Sequence, residues 1–497
     1  GGTSTDVSHF NGEYERAFET EVAGVRMRAP MMQIHTVAAG GGSILHWDGV
    51  RMRVGPDSAG AKPGPRAYRR GGPLAVTDCN VMLGKIRPEY FPAVFGPSGT
   101  EPLDAAAVES AFSELARAIS SDSGTEQSPH AVAQGFLRIA VENMANAVKK
   151  ISVQRGYDVS EYALQCFGGA GAQHACLVAD ALGMRKVLVH PLSGVLSAYG
   201  MGLADVRALR QRASEAPLTE ATLVALAASF EELEQAARAE LLTQGLAAER
   251  VQCVRRLLLK YEGTDSTLEI GLDALADVQA RFAEAYRARY GFLMPDRALL
   301  VESIAVEAIG ECARADELPV QFAPRSGPLQ PLAVHAVYFA GGALNTPFYD
   351  RADLRPEDVV VGPAVLREPN TTCVIEPGWQ AQLLAGDQLL LSRAVPLVRE
   401  HAVGTQADPV LLEVFNNLFM SIAEQMGVTL ANTSYSVNIK ERLDFSCALF
   451  DAEGQLIANA PHMPVHLGSM GESVQSILRR RVGQMREGDV FVLNAPY

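Results

Sequence analysis

The opening residues of the chain combine the residue types that bind phosphate. Residues 1–8 read GGTSTDVS, so two glycines precede three hydroxyl side chains and a carboxylate. Glycine adopts positive φ without strain and lets backbone N–H groups approach an anion. The hydroxyl groups can donate to phosphate oxygens, and Asp6 could hold Mg²⁺ through water or orient an attacking group. Taken alone, however, such a cluster usually marks an ordinary turn.

Two further glycine-rich segments could contribute to the same kind of site. They read AGGGS at 39–43 and FGGAG at 167–171, the latter between the apolar run YALQC and the helix-forming run AQHACLVADALG. A strand, a glycine turn and a helix in succession often present backbone donors to a nucleotide. The alternative for FGGAG is close packing of a helix on a strand, with no ligand. The residues alone therefore leave nucleotide binding as one of two open interpretations.

Composition narrows the class of partner. The chain of 497 residues is long enough for two to four domains. Its 43 Lys and Arg against 57 Asp and Glu give a net charge of -14, which argues against nucleic acid or an anionic membrane and favours a small molecule. The seven cysteines never form CxxC, so they predict neither a zinc ribbon nor a disulfide framework, and they fit a reducing cytoplasm. Because the sequence shows neither a signal peptide nor an apolar run of about 18 residues, it predicts a soluble protein.

The pattern of apolar residues predicts four regions and a linker. Residues 1–205 alternate glycine-rich turns, strands and helices, which predicts an α/β region; residues 206–320 predict an α+β region. Residues 321–400 are rich in Pro, Gly and short β-prone runs, which predicts a small β domain, and 401–409 have a linker's composition. An amphipathic helix should open the last region, 410–497, and end at Gly427. The specific elements predicted are helices over 131–150, 219–243, 276–290 and 410–427, a strand over 185–190 and a strand pair within 255–272.

Long phrases of the chain resemble one known family. The runs SAGAKPGPRAYRRGGPLAVTDCNVMLGKI (58–86), FGGAGAQHACLVADALGMRKVLVHPLSGVLSAYGMGLADV (167–206) and YEGTDSTLEI (261–270) resemble the hydantoinase A half of the 5-oxoprolinase family. Residues 408–497 resemble the opening of the hydantoinase B half. Both halves in one chain are typical of the fused members of that family. One departure is Ala67, which stands where the family often has a cysteine and so excludes a thiol role there.

The resemblance implies a fold and a role for the first loop. Hydantoinase A is related to actin, sugar kinases and heat-shock ATPases, in which two lobes each supply a phosphate-binding hairpin. GGTSTDVS resembles the second hairpin, so 1–205 would form the second lobe, while the first hairpin lies outside these 497 residues. After GDVFVLNAPY the family continues into a Gly-Gly-Thr-His-x-x-Asp stretch that supplies metal ligands. We therefore expect the chain to be an internal fragment cut through both active sites.

The activity implied is ATP-dependent hydrolysis of the lactam 5-oxo-L-proline to L-glutamate, with ADP and phosphate as the other products. The A half would use ATP and Mg²⁺ to phosphorylate the lactam oxygen, and the B half would complete a metal-assisted hydrolysis with Zn²⁺, Mn²⁺ or Fe²⁺. Alternatives are an N-methylhydantoinase or related cyclic amide hydrolase, and a non-catalytic scaffold gated by nucleotide. The implied partners are a small-molecule lactam and either copies of the chain or the remaining parts of the same polypeptide, with neither nucleic acid nor membrane.

The resemblance also implies roles for individual residues. Asp6 is the candidate catalytic residue, and Asp444 the candidate metal ligand. For Asp444, an ion pair with Lys440 or Arg442 is the structural alternative. His462 and His466 are four residues apart, but Pro464 between them makes a regular helix unfavourable. The nucleotide would contact Gly1, Gly2, Thr3, Ser4, Thr5, Gly40, Gly41, Gly168, Gly169 and Gly171, and the substrate candidates are Arg442, His462 and His466.

Overall fold

The chain divides into two compact units. In the computed structural model the first unit comprises Gly1–Val153, Asp158–Leu203 and Ala315–Val414, and the second comprises Gln154–Tyr157, Ala204–Arg314 and Phe415–Tyr497. None of the helices in the described part of the chain is both long enough and apolar enough to cross a membrane. The structure describes residues 2–12, 16–22, 25–152, 157–264, 267–290, 292–311, 320–322, 324–325, 327–356, 358–397, 409–434, 436–440, 442–460, 463 and 465–494.

Three short antiparallel pairings begin the first unit. The strand β1 (Thr5–Val7) pairs with β4 (His35–Val37), so that Asp6 lies opposite Thr36. Between them lies the hairpin of β2 (Arg16–Val22) and β3 (Val25–Met32), and after them β5 (Ser43–Trp47) pairs with β6 (Met52–Ser58). The segment AGGGS therefore connects β4 to β5, next to the strand that carries Asp6.

Helices follow, and their ends obey local capping rules. They are α1 (Val76–Met82), α2 (Ala105–Ser123) and α3 (Pro129–Ile151). The Ser128 hydroxyl accepts a hydrogen bond from the Ala131 N–H at the start of α3, as an N-cap does. The predicted helix over 131–150 is thus confirmed, and its apolar face is buried in the main core, including Val132, Phe136, Ile139 and Ala140.

The strand, glycine turn and helix expected around FGGAG are present. The strand β7 (Leu164–Cys166) leads into the turn, and α4 (Ala175–Leu182) follows it. After α4 come β8 (Lys186–Val189), which confirms the strand predicted over 185–190, and α5 (Leu196–Leu203). Because β8 pairs in parallel with β7, Lys186 lies at the end of β8 away from the glycine turn.

Residues 206–310 form a four-stranded antiparallel sheet with two helices. The strands are β9 (Val206–Pro217), β10 (Val251–Tyr261), β11 (Leu268–Gly271) and β12 (Leu299–Gly310), in the order β11-β10-β12-β9. The helices α6 (Glu220–Thr243) and α7 (Leu275–Tyr290) confirm the two predicted there. The predicted strand pair corresponds to β10 and β11, but the sequence analysis missed β9 and β12. Both are long strands with extensive pairing, and β12 has a nearly continuous buried run rather than an alternating one.

The strands of residues 321–400 belong to two sheets. They are β13 (Ala333–Phe339), β14 (Gly342–Asp350), β15 (Val359–Val361), β16 (Ala364–Arg367), β17 (Thr372–Ile375), β18 (Trp379–Leu383) and β19 (Leu389–Arg393). One sheet has the order β13-β14-β16-β17, whereas the other, β15-β18-β19-β8-β7, includes the strand that leads into FGGAG. Instead of forming a sheet of their own, β15, β18 and β19 extend the β7–β8 sheet, because the buried Leu389 and Leu391 complete the same core as Val187 and Val189.

The last region begins with a longer helix than the sequence predicts. The helix α8 (Pro409–Thr433) continues through Gly427, so the expectation that Gly427 ends it is wrong. Gly427 is not among the glycines with positive φ, so it does not take the left-handed conformation with which a glycine commonly ends a helix. The predicted linker lies outside the described residues except for Pro409, which begins α8. The remaining elements are α9 (Val437–Lys440), β20 (Ala448–Phe450), β21 (Leu456–Asn459) and α10 (His466–Arg480).

Candidate functional site

Asp6 is an exposed carboxylate in a fixed orientation. The Thr36 hydroxyl donates a 2.7 Å hydrogen bond to Asp6 Oδ1 across the β1–β4 pair. The neighbouring Thr5 hydroxyl donates to the Ala39 carbonyl at 2.5 Å, which ties β1 to the start of the AGGGS segment. Asp6 is thus held by a neutral donor rather than a cation, which leaves its negative charge available to a hydrated Mg²⁺ ion. Gly1 lies outside the described residues, whereas Gly2 and Thr3 are exposed and Ser4 is half-buried.

The AGGGS loop brings the three glycine segments together. The Gly42 N–H donates to the Gly2 carbonyl at 2.5 Å. A Cβ atom added to Gly42 would lie 3.0 Å from that oxygen, and one added to Gly41 would lie 2.8 Å from Thr77 Oγ1. The Cβ added to Gly41 would also lie 3.8 Å from the Ala170 Cβ of FGGAG. Only glycine permits this approach, so the convergence of the three loops explains the glycines at 41 and 42.

FGGAG is packed closely on one side. Gly168 has a φ of 86° and donates to the Ser193 carbonyl at 2.7 Å. The Gly169 carbonyl accepts from the Thr371 hydroxyl at 3.0 Å. Added Cβ atoms would lie 3.3 Å from the Asn370 carbonyl at Gly169 and 3.0 Å from Cys166 Sγ at Gly171. Close packing therefore accounts for part of the need for glycine at positions 169 and 171. The interpretation of FGGAG as a helix packed on a strand is still supported for these two glycines.

A fourth loop, which begins at Ser58, also contacts the AGGGS segment. It was not among the three glycine-rich segments predicted from the sequence. The Ala59 N–H donates to the Gly42 carbonyl at 2.8 Å, and the Ser58 hydroxyl donates to the same oxygen at 3.3 Å. Gly60 follows with a φ of 59°. The signal was present in the sequence, since SAGAKPGP has the same small and turn-forming residues as the other three loops.

The buried carboxylate of Asp78 holds this loop region to the start of α1. It accepts backbone N–H hydrogen bonds from Arg66, Ala67 and Ala75 at 2.9, 2.8 and 2.8 Å. Burial raises the pKa of Asp78 to about 6, against the lowering effect of these hydrogen bonds. Ala67, which replaces the family's cysteine, is fully buried and serves here through its N–H group.

In the last region Asp444 lies beside His466. Asp444 Oδ1 is 3.8 Å from His466 Nε2, whereas Arg442 is exposed and, among the described side chains, is not the ion partner of Asp444. The Ser446 hydroxyl donates to the Met463 carbonyl at 3.3 Å and lies 3.1 Å from His466 Nδ1. Its oxygen can then accept from Nδ1–H, which directs the lone pair of Nε2 toward the Asp444 side. His462 lies outside the described residues, and α10 begins at His466, in line with the effect expected of Pro464.

The Asp444–His466 pair fits a metal in its chemistry but supplies only two donors. An imidazole nitrogen and a carboxylate oxygen suit Zn²⁺, Mn²⁺ or Fe²⁺, and an oriented histidine is typical of such sites. No group of three potential ligands occurs within the part of the chain that the structure describes. Further donors would therefore have to come from residues other than those described.

The α/β lobe with its converging glycine loops has the architecture of a hydantoinase-type ATPase. Three family models match the chain: hydantoinase/oxoprolinase over residues 1–210, the hydantoinase/oxoprolinase C-terminal domain over 212–391, and hydantoinase B/oxoprolinase over 408–497. The chain belongs to the hydantoinase/oxoprolinase family and carries A-type and B-type domains in one polypeptide. This confirms the resemblance found in the sequence.

The similarity to known proteins covers the whole chain. It is 40% identical over 504 residues to the 5-oxoprolinase of Dictyostelium discoideum, covering 100% of this chain and 39% of that protein. It is 41% identical over 507 residues to 5-oxoprolinase 1 of Arabidopsis thaliana, covering 100% and 40%. The crystal structure of an ATP-dependent caprolactamase from Pseudomonas jessenii superposes with a TM-score of 0.71 at 26% identity, covering 80% of this chain and 58% of that one. The chain thus spans about two-fifths of the length of these 5-oxoprolinases.

Proposed function

We propose that the complete polypeptide hydrolyses 5-oxo-L-proline to L-glutamate at the expense of ATP. The observation that carries the proposal is the convergence at Gly41 and Gly42 of the Gly2 and Ala170 loops beside the oriented carboxylate of Asp6. The similarity to named 5-oxoprolinases along the whole chain supports the choice of substrate. Because the chain spans only part of their length, the proposal concerns the longer polypeptide rather than these 497 residues alone.

ATP is needed because the lactam is an unstrained, resonance-stabilised amide. In the first half-reaction the lactam oxygen attacks the γ-phosphorus, the bond to the β-phosphate oxygen breaks, and ADP leaves. The O-phosphorylated ring then takes up one water, the C–N bond breaks, and the nitrogen gains a proton. A second water releases phosphate from the resulting acyl phosphate. The sum is one lactam, one ATP and two waters converted to glutamate, ADP and phosphate.

The residues of the first unit supply positioning and charge for phosphoryl transfer. Backbone N–H groups and hydroxyls of the 2–5 loop would cradle the phosphates, with FGGAG on the nucleoside side. Asp6 would hold Mg²⁺, which neutralises phosphate charge when bound. The Thr36 hydroxyl, which donates to Asp6 Oδ1, would help to orient the carboxylate for this role.

In the last region Asp444 and His466 would serve the hydrolytic half-reaction. We propose them as two ligands of a divalent transition metal, Zn²⁺, Mn²⁺ or Fe²⁺, which when bound makes water a better nucleophile near neutral pH. Ser446 orients the His466 ring for this role. Arg442 is exposed and could hold the substrate carboxylate through its guanidinium group. His462 remains a proposed substrate contact.

A second candidate is hydrolysis of another cyclic amide. The similarity to the structure named ATP-dependent caprolactamase favours this class specifically, because that name describes a different lactam. The deciding experiment gives the complete enzyme MgATP with 5-oxo-L-proline, hydantoin or caprolactam and measures ADP together with the ring-opened product. We expect glutamate and ADP in equal amounts from 5-oxo-L-proline. ADP formation that accompanies the opening of only hydantoin or caprolactam would identify that compound as the substrate. Nucleotide binding without ADP release with any of the three compounds would favour a nucleotide-gated scaffold.

A further inference from the structure

The helix α1 bridges the two glycine loops that flank the proposed nucleotide site. Near its start, the N–H and hydroxyl of Thr77 both donate to the Gly41 carbonyl, at 2.8 and 2.9 Å. One turn later, Asn80 Nδ2 donates to Gln173 Oε1 at 2.9 Å and lies 3.4 Å from His174 Nε2. Residues three apart share one face of a helix, so a single face of α1 holds both loops.

The contact at Asn80 is buried and directional. Asn80 is 0% exposed, and His174, which directly precedes α4, is 4% exposed. Burial and the nearby positive charge of Lys85 lower the pKa of His174 to about 3, so its ring is neutral. With the Asn80 amide oriented as in the structure, Nδ2 donates, so His174 Nε2 accepts and the ring proton lies on Nδ1.

Two polar atoms of this network have no partner among the described residues: Asn80 Oδ1 and His174 Nδ1. Both side chains are buried, so their mutual contact helps to fix their positions. The network is adjacent to FGGAG through the single turn Gly171–Gln173. The contacts from Asn80 therefore connect α1 to the residues between FGGAG and α4.

We propose that Asn80 and His174 are positioning residues that set the separation of the AGGGS and FGGAG loops and thereby the affinity for nucleotide. This rests on the proposed nucleotide site. Neither side chain needs to touch the nucleotide. Loss of the Asn80 amide would let the loop after β7 relax, while Asp6 and the lactam-binding residues keep their positions. Nucleotide affinity should consequently fall with little change in the rate of phosphoryl transfer.

The test measures KM for MgATP, KM for 5-oxo-L-proline and kcat in the complete enzyme. We expect Asn80→Ala, which removes both the Gln173 hydrogen bond and the His174 contact, to raise the KM for MgATP about tenfold or more, while kcat stays within about twofold. His174→Gln places an amide group where Nε2 lies and should retain near-normal KM. His174→Asn places its amide near Nδ1 instead and loses the Asn80 contact but keeps the Asn80–Gln173 hydrogen bond, so its KM for MgATP should lie between those of His174→Gln and Asn80→Ala. Equal effects of the two histidine variants on KM would overturn the proposal.

Control variants separate positioning from general stability. Val81→Ala, one residue along the same helix, should lower the melting temperature and leave the KM for MgATP unchanged. If Val81→Ala raises KM as much as Asn80→Ala does, the effect is one of stability and the proposal fails. Gly169→Val tests the nucleotide site itself. If it leaves MgATP binding unchanged, the proposed site is wrong; if it weakens binding while Asn80→Ala does not, only the positioning role is wrong.

Discussion

Lys85 and Glu376 form a buried ion pair although they are 291 residues apart in the sequence. Lys85 Nζ lies 2.5 Å from Glu376 Oε1, and the two side chains are 0% and 7% exposed. The Lys85 ammonium also lies 5.0 Å from the centre of the Phe339 ring. The pair therefore joins the loop that follows α1, the helix that carries Asn80, to the turn after β17.

Removing one partner of the Lys85–Glu376 pair should lower the free energy of unfolding far more than removing both. We expect Lys85→Met to reduce the free energy of unfolding by about 3–5 kcal/mol, because Glu376 would remain buried and unpaired. Adding Glu376→Leu should recover most of this loss. Lys186→Met, at an exposed position, should change the free energy by less than about 0.5 kcal/mol. Urea denaturation measures all of these, and a double variant no more stable than Lys85→Met would contradict the prediction.

Asp6→Asn should abolish both half-reactions. The amide keeps the shape but removes the charge that would hold Mg²⁺, so ADP formation should fall by about 10²-fold or more. Thr36→Val retains the carboxylate and removes only its donor, so the loss should be about tenfold. Asp57→Asn makes the same change of charge at a carboxylate that is 73% exposed. As the control, it should leave ADP formation unchanged. Normal ADP release from Asp6→Asn would exclude Asp6 from phosphoryl transfer.

Gly169→Val should weaken binding of MgATP. Its added Cβ would lie 3.3 Å from the Asn370 carbonyl, so the larger side chain must displace the loop or project into the nucleotide space. We expect a raised KM for MgATP and an unchanged KM for 5-oxo-L-proline. Gly200→Ala is the control, since a Cβ there meets nothing within 4 Å. An unchanged KM for MgATP would show that FGGAG only packs a helix against a strand.

Asp444→Ala should separate ATP use from ring opening. We expect elemental analysis to find less bound metal, and glutamate formation to be lost. Some ADP formation should persist in the hydantoinase A half. If Asp444 forms only an exposed ion pair with His466, the substitution should lower the free energy of unfolding by about 0–1 kcal/mol and leave the activity unchanged. Glu472→Ala removes an exposed carboxylate from α10 and should leave metal content and yield unchanged. Full metal occupancy with a normal glutamate yield would return Asp444 to a structural role.

Glu368 should make stability fall as pH rises from acid to neutral. Burial, opposed by Arg351 and aided by Asp387 and Asp350, raises the pKa of Glu368 from 4.5 to about 7. Between these values the folded chain keeps a proton that the unfolded chain has lost. The free energy of unfolding should therefore decrease across this window by at most about 1.4 kcal/mol per pH unit.

Glu368→Gln tests this titration directly. The variant should match the parent near pH 4 and exceed its stability at pH 8, where the parent must bury a charged carboxylate. Glu89→Gln, at an exposed carboxylate whose pKa is lowered, provides a comparison without this stabilisation at pH 8. Parallel stability curves for Glu368→Gln and the parent between pH 4 and 8 would contradict the assigned titration.

Features that depend on neighbouring residues could be predicted from the sequence. The apolar spacing and Ser128 cap of α3, the two helices of residues 206–310 and the strand, glycine turn and helix around FGGAG all depend on a few adjacent positions. The family, too, could be recognised from contiguous phrases. The glycine loops could be identified as candidates, because their chemistry is local to each segment.

Which distant segments contact one another could be learned only from the folded structure. The contacts among Gly2, Gly41 and Ala170, and the sheet that joins β19 to β8, link positions that are far apart in the chain. Gly427 remains helical because its backbone keeps negative φ, although its residue type permits a stop. Asn80 and His174 are ordinary residues in the sequence, and only their burial and mutual geometry single them out. Local rules cannot supply such pairings, because the energy that selects them comes from long-range packing and from satisfying buried polar groups after the chain has folded.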